Sequence, residues 1–252
     1  MVFHSWKFYF ILVLFILIVM YDTYLCYGLT FFSGPVPNKS VWIPAAASFL
    51  SANSHGHVPQ MVLKWILPMY LLVVYGDSYI RDHKYSYTQI LITRTGRKEV
   101  YKAKFMTAFI SGFLVFMIPL ILNYIVALIL FRDGTYSPMA DFINNGAILH
   151  FSILYPNITY MIYIVVASII AGLCCMYGLA VSMLIPNIKY VYCIVYVIWY
   201  IFLACKYSIS FVLQPFIEYD WDYVIPGFLL FAGVTAFLML LAYIKKVKMD
   251  EI

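Results

Sequence analysis

Residues 104–131 read "KFMTAFISGFLVFMIPLILNYIVALILF", and the only charged residue among them is Lys104 at the start. An α-helix needs about 20 mostly apolar residues to cross the hydrocarbon core of a bilayer, so this stretch is long enough. The rest of the chain is similar, because its 252 residues are 65% hydrophobic and 11% charged, with a mean hydropathy of +0.90. Soluble domains are about 25% charged. The sequence therefore predicts an all-α integral membrane protein.

Five further apolar segments follow the same pattern, so six membrane-spanning helices are predicted within one membrane domain, residues 1–252. The predicted spans are residues 7–27, 59–76, 104–131, 158–185, 190–206 and 225–244. The first span leads into "YDTYLCYG" at 21–28, where bulky residues replace the small ones of a signal-peptide cleavage site. It is therefore predicted to remain as an uncleaved span.

Positive charge predicts the orientation, because Lys and Arg concentrate on the cytoplasmic side of membrane proteins. With both termini cytoplasmic, twelve of the 16 Lys and Arg residues lie inside. Lys39, Lys64, Arg132 and Lys206 remain outside, and Lys64 and Lys206 are expected to snorkel from helix ends to the interface. We expect a multi-pass protein of the cell membrane, the plasma membrane of a bacterium, in contact with lipid. Basic residues that flank apolar spans give no reason to expect a nucleic-acid partner.

Polar and aromatic residues inside the spans are open to two interpretations. Asn123 lies one turn beyond Pro119, where a buried amide either hydrogen-bonds across helices or belongs to a transport path. Tyr192, Tyr196 and Tyr200 lie along one face of the fifth span. That face serves packing or lipid contact in one interpretation and contacts an amphipathic cargo in the other.

The fourth span carries small residues four positions apart, a spacing that lets another helix approach closely. These predicted helix-packing residues are Ala167, Ser168, Ala171, Gly172, Gly178 and Ser182. The approaching helix belongs either to the same chain or to a second subunit, and the sequence does not choose between them.

Signatures of catalysis are missing from the sequence. It contains no H-E-x-x-H, G-x-S-x-G or P-loop motif, so the chain is not expected to be an enzyme or to bind a cofactor itself. His150 is the nearest catalytic candidate and has no obvious partner.

The outer loop, residues 28–58, is predicted to be solvated, and His55 and His57 within it are too few for a metal site. No charged pair is expected at the centre of a span, which argues against a carrier driven by an ion gradient.

The basic joint between the second and third spans, residues 77–103, has more structure than orientation alone requires. Apolar and charged residues alternate in "DSYIRDHKYSYTQILITR", as in an amphipathic helix that lies along the cytoplasmic interface. Gly96 is predicted to end this helix, because glycine is the usual residue just after a helix C-terminus.

The run "GDSYIRDHKYSYTQILITRTGRKEVYKAKF" (76–105), followed by "IPLILNYIV" in the third span, resembles ABC-2-type transporter permease subunits, type V exporter-like. The resemblance is to the Gram-positive bacterial type with a separate ATPase polypeptide, and it covers the whole architecture of the chain. It implies that the joint contains a coupling helix that docks on the ATPase. The implied coupling residues are Asp77, Tyr79, Arg81, Asp82, Tyr87, Ile90, Leu91, Arg94 and Arg97.

The resemblance also implies partners and a cargo. Two permease chains, alike or different, would pair with two cytoplasmic ABC ATPase subunits, which would bind ATP and Mg²⁺. The cargo would be amphipathic or hydrophobic, such as an antimicrobial or secreted peptide or a lipid-like antibiotic. A half-buried outer element is expected at 207–224, before the last span. The alternatives are a non-transporting membrane immunity or scaffold protein and an intramembrane enzyme.

Overall fold

The computed structural model describes residues 5–32, 42–51, 57–84, 87–135 and 146–249, and this part of the chain is helical. Its helices are α1 (Trp6–Phe32), α2 (Pro44–Ala47), α3 (His57–Leu71), α4 (Ser78–Lys84), α5 (Tyr87–Thr95), α6 (Arg97–Leu130), α7 (Ala147–Leu154), α8 (Pro156–Leu184), α9 (Ile188–Ala204), α10 (Ile209–Val212) and α11 (Trp221–Ile244). Two π-helical turns, Leu72–Gly76 and Lys245–Met249, extend α3 and α11.

Five helices in the described ranges are long and apolar enough to cross a membrane: α1, α3 with its extension, α6, α8 and α11. The prediction of an all-α, membrane-embedded protein is thereby confirmed. The sixth predicted span corresponds to α9, which is apolar but has 17 residues. That length falls short of the usual 20 or so, and six full spans stay a prediction.

The two ends of the bundle can be distinguished by their contacts. The Lys245 ammonium donates to the Leu184 carbonyl at 3.3 Å, so α8 and α11 finish at the same end. The Lys246 ammonium nitrogen lies 5.5 Å from the ring centroid of Tyr79, so the basic joint lies at this same end of the bundle. We call this Lys- and Arg-rich end the inner end, following the orientation rule, and the opposite one the outer end.

Helix α8 lies at the centre of the bundle and packs against α6, α11 and α3. Its small residues allow α6 to approach closely: a Cβ on Gly112 would lie 2.8 Å from the Ala171 carbonyl oxygen, and one on Gly172 would lie 2.7 Å from the Phe109 ring. All six predicted packing residues are buried. Gly172 faces Phe109 of α6 and Gly178 faces Leu72 just after α3, so these two residues allow the close approach of helices of the same chain.

The described part of the long outer loop differs from expectation. Residues 45–51 are buried, and Pro44–Ala47 form the short helix α2 against α6 and α8. We call residues 44–51 the outer plug. The prediction of a solvated loop is wrong for these residues, whereas His55 and the side chain of His57 lie outside the described residues.

The second outer element follows α9. Ile209, Val212, Leu213 and Phe216 are buried, and the start of α11 packs beside them, where Gly227 faces the Tyr207 carbonyl. These contacts bring the end of α9 back to the outer end. The half-buried outer element expected at 207–224 is therefore present.

Candidate functional site

The basic joint folds into two helices, α4 and α5, rather than the single amphipathic helix that the sequence predicted. Gly96 follows α5 with φ +84°, a left-handed conformation that glycine adopts without steric cost. Its N–H donates to the Ile92 carbonyl at 2.9 Å, so α5 ends at the residue the sequence predicted. Helix α6 begins directly afterwards and continues through Pro119 to Leu130.

The α4 part of the predicted coupling set lies against the bundle. Asp77 and Tyr79 are buried, and the Asp77 carboxylate forms an ion pair with the Arg81 guanidinium at 3.0 Å. Asp82 forms an ion pair with Lys104 of α6. These side chains are therefore engaged within the chain, and the Asp82–Lys104 ion pair joins α4 to α6.

The α5 part faces outward. Tyr87 is 37% exposed and Ile90 51%, while Leu91 is half-buried and Arg94 is exposed. On the other face of the helix Thr88 is buried. Helix α5 therefore packs through Thr88 and leaves the apolar side chains of Tyr87 and Ile90 exposed at the inner end, while Tyr87 and Leu91 also line a cavity beside α4 and α6.

A cavity of about 710 Å³ lies between α4, α5 and the start of α6. Its lining includes acidic and basic groups, Asp82 and Glu99 beside Arg81 and Lys104, as well as the apolar Leu91. Because acidic and basic side chains lie together in this lining, the cavity has no strong electrostatic potential of a single sign. Arg97 is half-buried at the first position of α6.

A second polar cluster lies at the outer end, around Asn123, which is fully buried. Its amide nitrogen donates to the Val19 carbonyl at 3.2 Å and to the Thr23 hydroxyl, both on α1. Its amide oxygen accepts from the Phe49 N–H of the outer plug at 3.0 Å. The interpretation of Asn123 as a link between helices accounts for all three contacts.

Two more side chains hold the outer plug by its backbone. Gln60 of α3 donates to the carbonyl oxygens of Phe49 and Leu50, each at 2.9 Å. The Tyr160 hydroxyl of α8 accepts from the Leu50 N–H at 3.3 Å. Non-helical backbone at membrane depth needs partners inside the protein, and these side chains supply them.

The cluster also contains two ionisable residues, Asp22 and Lys64, of which the sequence predicted Lys64 at the interface. Asp22 of α1 is 0% exposed and Lys64 of α3 is 7% exposed, and each acts electrostatically on the other. The expectation that Lys64 snorkels to the interface is wrong, because the side chain is enclosed by the bundle. The expectation that no charged pair lies at the centre of a span stays a prediction, because Asp22 and Lys64 lie toward the outer end of the bundle.

A positional signal for this cluster was available in the sequence. Lys64 lies seven residues from the start of α3, and Asn123 lies seven residues from the end of α6. At 1.5 Å of rise per residue, both are about 10 Å from the outer helix ends. Polar residues at one depth on neighbouring spans are candidates for contact. Gln60 and Tyr160 also belong to the cluster, and the sequence did not predict a role for either of them.

The aromatic face of α9 is divided between interior and exterior. Tyr192 and Tyr196 are half-buried and Tyr200 is exposed, whereas Trp199 is fully buried and donates to the Lys64 carbonyl at 3.0 Å. The interior anchor of α9 is therefore Trp199, and Tyr200 faces away from the bundle.

Asp220, another polar residue at the outer end, stabilises the ends of helices. The Asp220 carboxylate accepts from the backbone N–H of Trp221 at 2.9 Å and from those of Ala147 and Ile148, so it caps two helices. These hydrogen bonds hold the pKa of Asp220 below its ordinary value. His150 is exposed, and within the described ranges no group of three His, Cys, Asp or Glu side chains could hold a metal ion.

Comparison with known proteins gives one informative match. The chain is 34% identical over 203 residues to "Uncharacterized protein YybM" of Bacillus subtilis (strain 168), a match that covers 80% of each chain. No protein-family profile matches the sequence. No solved structure matches it either.

Proposed function

This chain belongs to the same family as YybM of Bacillus subtilis (strain 168), and we propose that it is the permease subunit of an exporter driven by a separate ATPase. The observation that carries the proposal is the exposed apolar face of α5, at the inner end between two long spans. Exposed apolar side chains next to charged ones are typical of a surface that another protein covers.

The position of α5 supports a coupling role. Helix α6 begins one residue after α5 and is continuous for 34 residues, so a force on α5 would reach the outer end of the bundle through one helix. Helix α4 is tied to α6 by the Asp82–Lys104 ion pair, and the Asp77–Arg81 ion pair spans the first turn of α4 itself. A docked ATPase would thus pull on elements that are firmly joined to the spans.

The cargo and the partners follow from the same proposal. ATP and Mg²⁺ would be bound by the ATPase, and two permease chains, alike or different, would alternate between two packings around a path. The half-buried Tyr192 and Tyr196 and the exposed Tyr200 would face an amphipathic cargo such as an antimicrobial or secreted peptide.

Co-purification tests the proposal directly. The full-length protein, extracted in a mild detergent, is expected to bring down a P-loop ATPase. The triple variant Tyr87→Asp, Ile90→Asp and Leu91→Asp is expected to lose that ATPase and to insert in the membrane as the parent does.

A matched control uses the same helix. Gln89→Asp with Thr93→Asp adds negative charge at exposed positions of α5 and leaves its apolar residues in place. This control is expected to retain the ATPase. If the parent brings down no P-loop ATPase, the exporter proposal is rejected in favour of a non-transporting scaffold. Equal retention by the triple variant would remove α5 from the docking surface.

A further inference from the structure

A buried carboxyl group lies at the level of the outer plug. Asp22 is fully buried, and among the residues that the structure describes none donates a hydrogen bond to either of its carboxylate oxygens. Buried polar atoms are nearly always hydrogen-bonded, because an unpaired one costs free energy. The position therefore suits a ligand that the neighbouring side chains do not supply.

The charges around Asp22 restrict the nature of that ligand. Lys64 from α3 is the charged side chain that acts on it, and Tyr160 from α8 is the neighbouring titratable group. The polar groups on α6 and in the outer plug that complete the cluster, Asn123 and Ser48, do not titrate. A metal ion or a cationic cargo would be repelled by the Lys64 ammonium. A proton needs no further ligands and removes the unpaired charge.

We propose that Asp22, faced by Lys64, is a proton-binding site whose occupancy controls how firmly the outer plug is held. A membrane-embedded ionisable residue with a charged partner is typical of proton relays and coupled gates. The inference does not depend on an ATPase partner, because it concerns only groups of this chain.

Contacts on both sides connect the site to the plug. On α1, Thr23 follows Asp22 and accepts a hydrogen bond from Asn123, which in turn accepts from Phe49 of the plug. On α3, Gln60 lies one turn from Lys64 and donates to Phe49 and Leu50. A shift of α1 relative to α3 would therefore move the hydrogen-bond partners of the plug.

The direction of the effect follows from the charges. With Asp22 ionised, its attraction to Lys64 draws α1 and α3 together, and the plug stays seated. With Asp22 protonated, the Lys64 charge is unbalanced inside the bundle and is best satisfied by water. A looser plug would admit water to this end of the bundle, so we infer that low pH opens the outer end.

The test measures access to the plug in the full chain, purified and placed in lipid nanodiscs. Ser48→Cys introduces a nearly isosteric thiol in the plug, and Tyr219→Cys provides an exposed reference thiol. A membrane-impermeant maleimide labels each variant, and the Ser48→Cys rate is divided by the Tyr219→Cys rate. The ratio corrects for the slower reaction of thiols at low pH, since the thiolate is the reactive form.

The ratio is expected to rise about five- to tenfold between about pH 8 and about pH 5. With Asp22→Asn added it is expected to be high at both pH values, because the aspartate charge is absent. With Asp133→Asn, a control at an exposed outer acid, the rise of the parent is expected. A flat ratio in the parent, or an unchanged rise with Asp22→Asn, would overturn the proposal.

Infrared pH-difference spectra provide a second readout that does not involve the plug. The carbonyl band of a protonated buried carboxyl is expected in the parent and is expected to be missing in Asp22→Asn. If Asp22→Asn alone does not fold, the pair Asp22→Asn with Lys64→Met removes both charges together. A flat labelling ratio in the pair supports the proposal, and a retained pH-dependent rise contradicts it.

Discussion

The two ends of the bundle satisfy their polar and apolar groups in opposite ways. At the outer end Asn123, Gln60 and Tyr160 reach the backbone of the plug, and the hydrogen bonds are made within the chain. At the inner end Tyr87 and Ile90 are exposed on a helix that packs through its other face. The outer end is thus closed by the protein itself, and the inner end presents a surface that a partner can cover.

The difference indicates where function depends on intrachain stability and where it depends on association. Changes at the outer end should unfold or open the protein, whereas changes on α5 should leave folding intact. Four substitutions test this division, from the largest expected effect to the smallest.

Asn123→Ala is expected to have the largest effect of these four substitutions. It removes three hydrogen bonds that join α1, α6 and the plug. Interhelical hydrogen bonds in membranes average about 0.6 kcal/mol each, so a loss of about 2 kcal/mol is expected. Unfolding by a denaturing detergent measures it. Ser168→Ala serves as control, because within the described part of the chain that hydroxyl donates to the Ile164 carbonyl of its own helix, and equal losses would contradict the linking role.

Gly112→Ala separates close packing from hydrogen bonding. Its new Cβ would lie 2.8 Å from both the Ala171 carbonyl oxygen and the Cys175 Cβ, so α6 and α8 must move apart. Overpacking of this kind costs about 1–2 kcal/mol. Gly233→Ala is the matched control, because nothing lies within 4 Å of its Cβ position. A thermal midpoint in detergent that falls equally in both variants would contradict the close approach.

Asp220→Asn is expected to have a small, pH-dependent effect. The pKa of Asp220 is lowered by its hydrogen bonds to the N–H groups of Trp221, Ala147 and Ile148. A carboxyl with a lowered folded-state pKa stabilises the protein above its unfolded value of about 3.9, and the contribution is lost as the pH falls through the folded value. The thermal midpoint of Asp220→Asn should lie below that of the parent at neutral pH. The difference should narrow below about pH 4, and a constant difference would argue against the ionised cap.

Ile90→Asp is expected to have the smallest effect on folding. The side chain is largely exposed, and surface substitutions usually change the free energy of unfolding by less than about 0.5 kcal/mol. Leu67→Asp, which puts a charge at a fully buried position of α3, supplies the contrast. Unfolding in detergent should distinguish the two clearly. A large loss from Ile90→Asp would mean that α5 is held by its apolar face.

The long helices could be predicted from sequence because an apolar run of sufficient length has few other structures available in lipid. The fourth predicted span, 158–185, differs by two residues or fewer from α8, Pro156–Leu184. The last, 225–244, begins four residues after α11, Trp221–Ile244. Helix α11 has a polar first turn that includes Asp222, so hydropathy alone placed its start too late.

The outer plug and its polar cluster were not predicted, for a different reason. The stretch "PAAASFLS" at 44–51 is too short to be recognised as a span, and its burial depends on partners far away in the sequence. Lys64 looked like an interfacial residue because the depth of a side chain does not reveal whether it faces lipid or a neighbouring helix. Only the packing of α1 against α3 brings Asp22 and Lys64 into one environment.

The shortness of α9 has a consequence for the surrounding lipid. Seventeen residues span about 25 Å, whereas the hydrocarbon core of a bilayer is about 30 Å thick. If α9 crosses the membrane as the sixth predicted span, the lipid beside it would have to compress to match it, at a cost that grows with each ångström of mismatch. A thinner membrane would relieve that strain, so the bilayer thickness itself becomes a variable of this protein's stability.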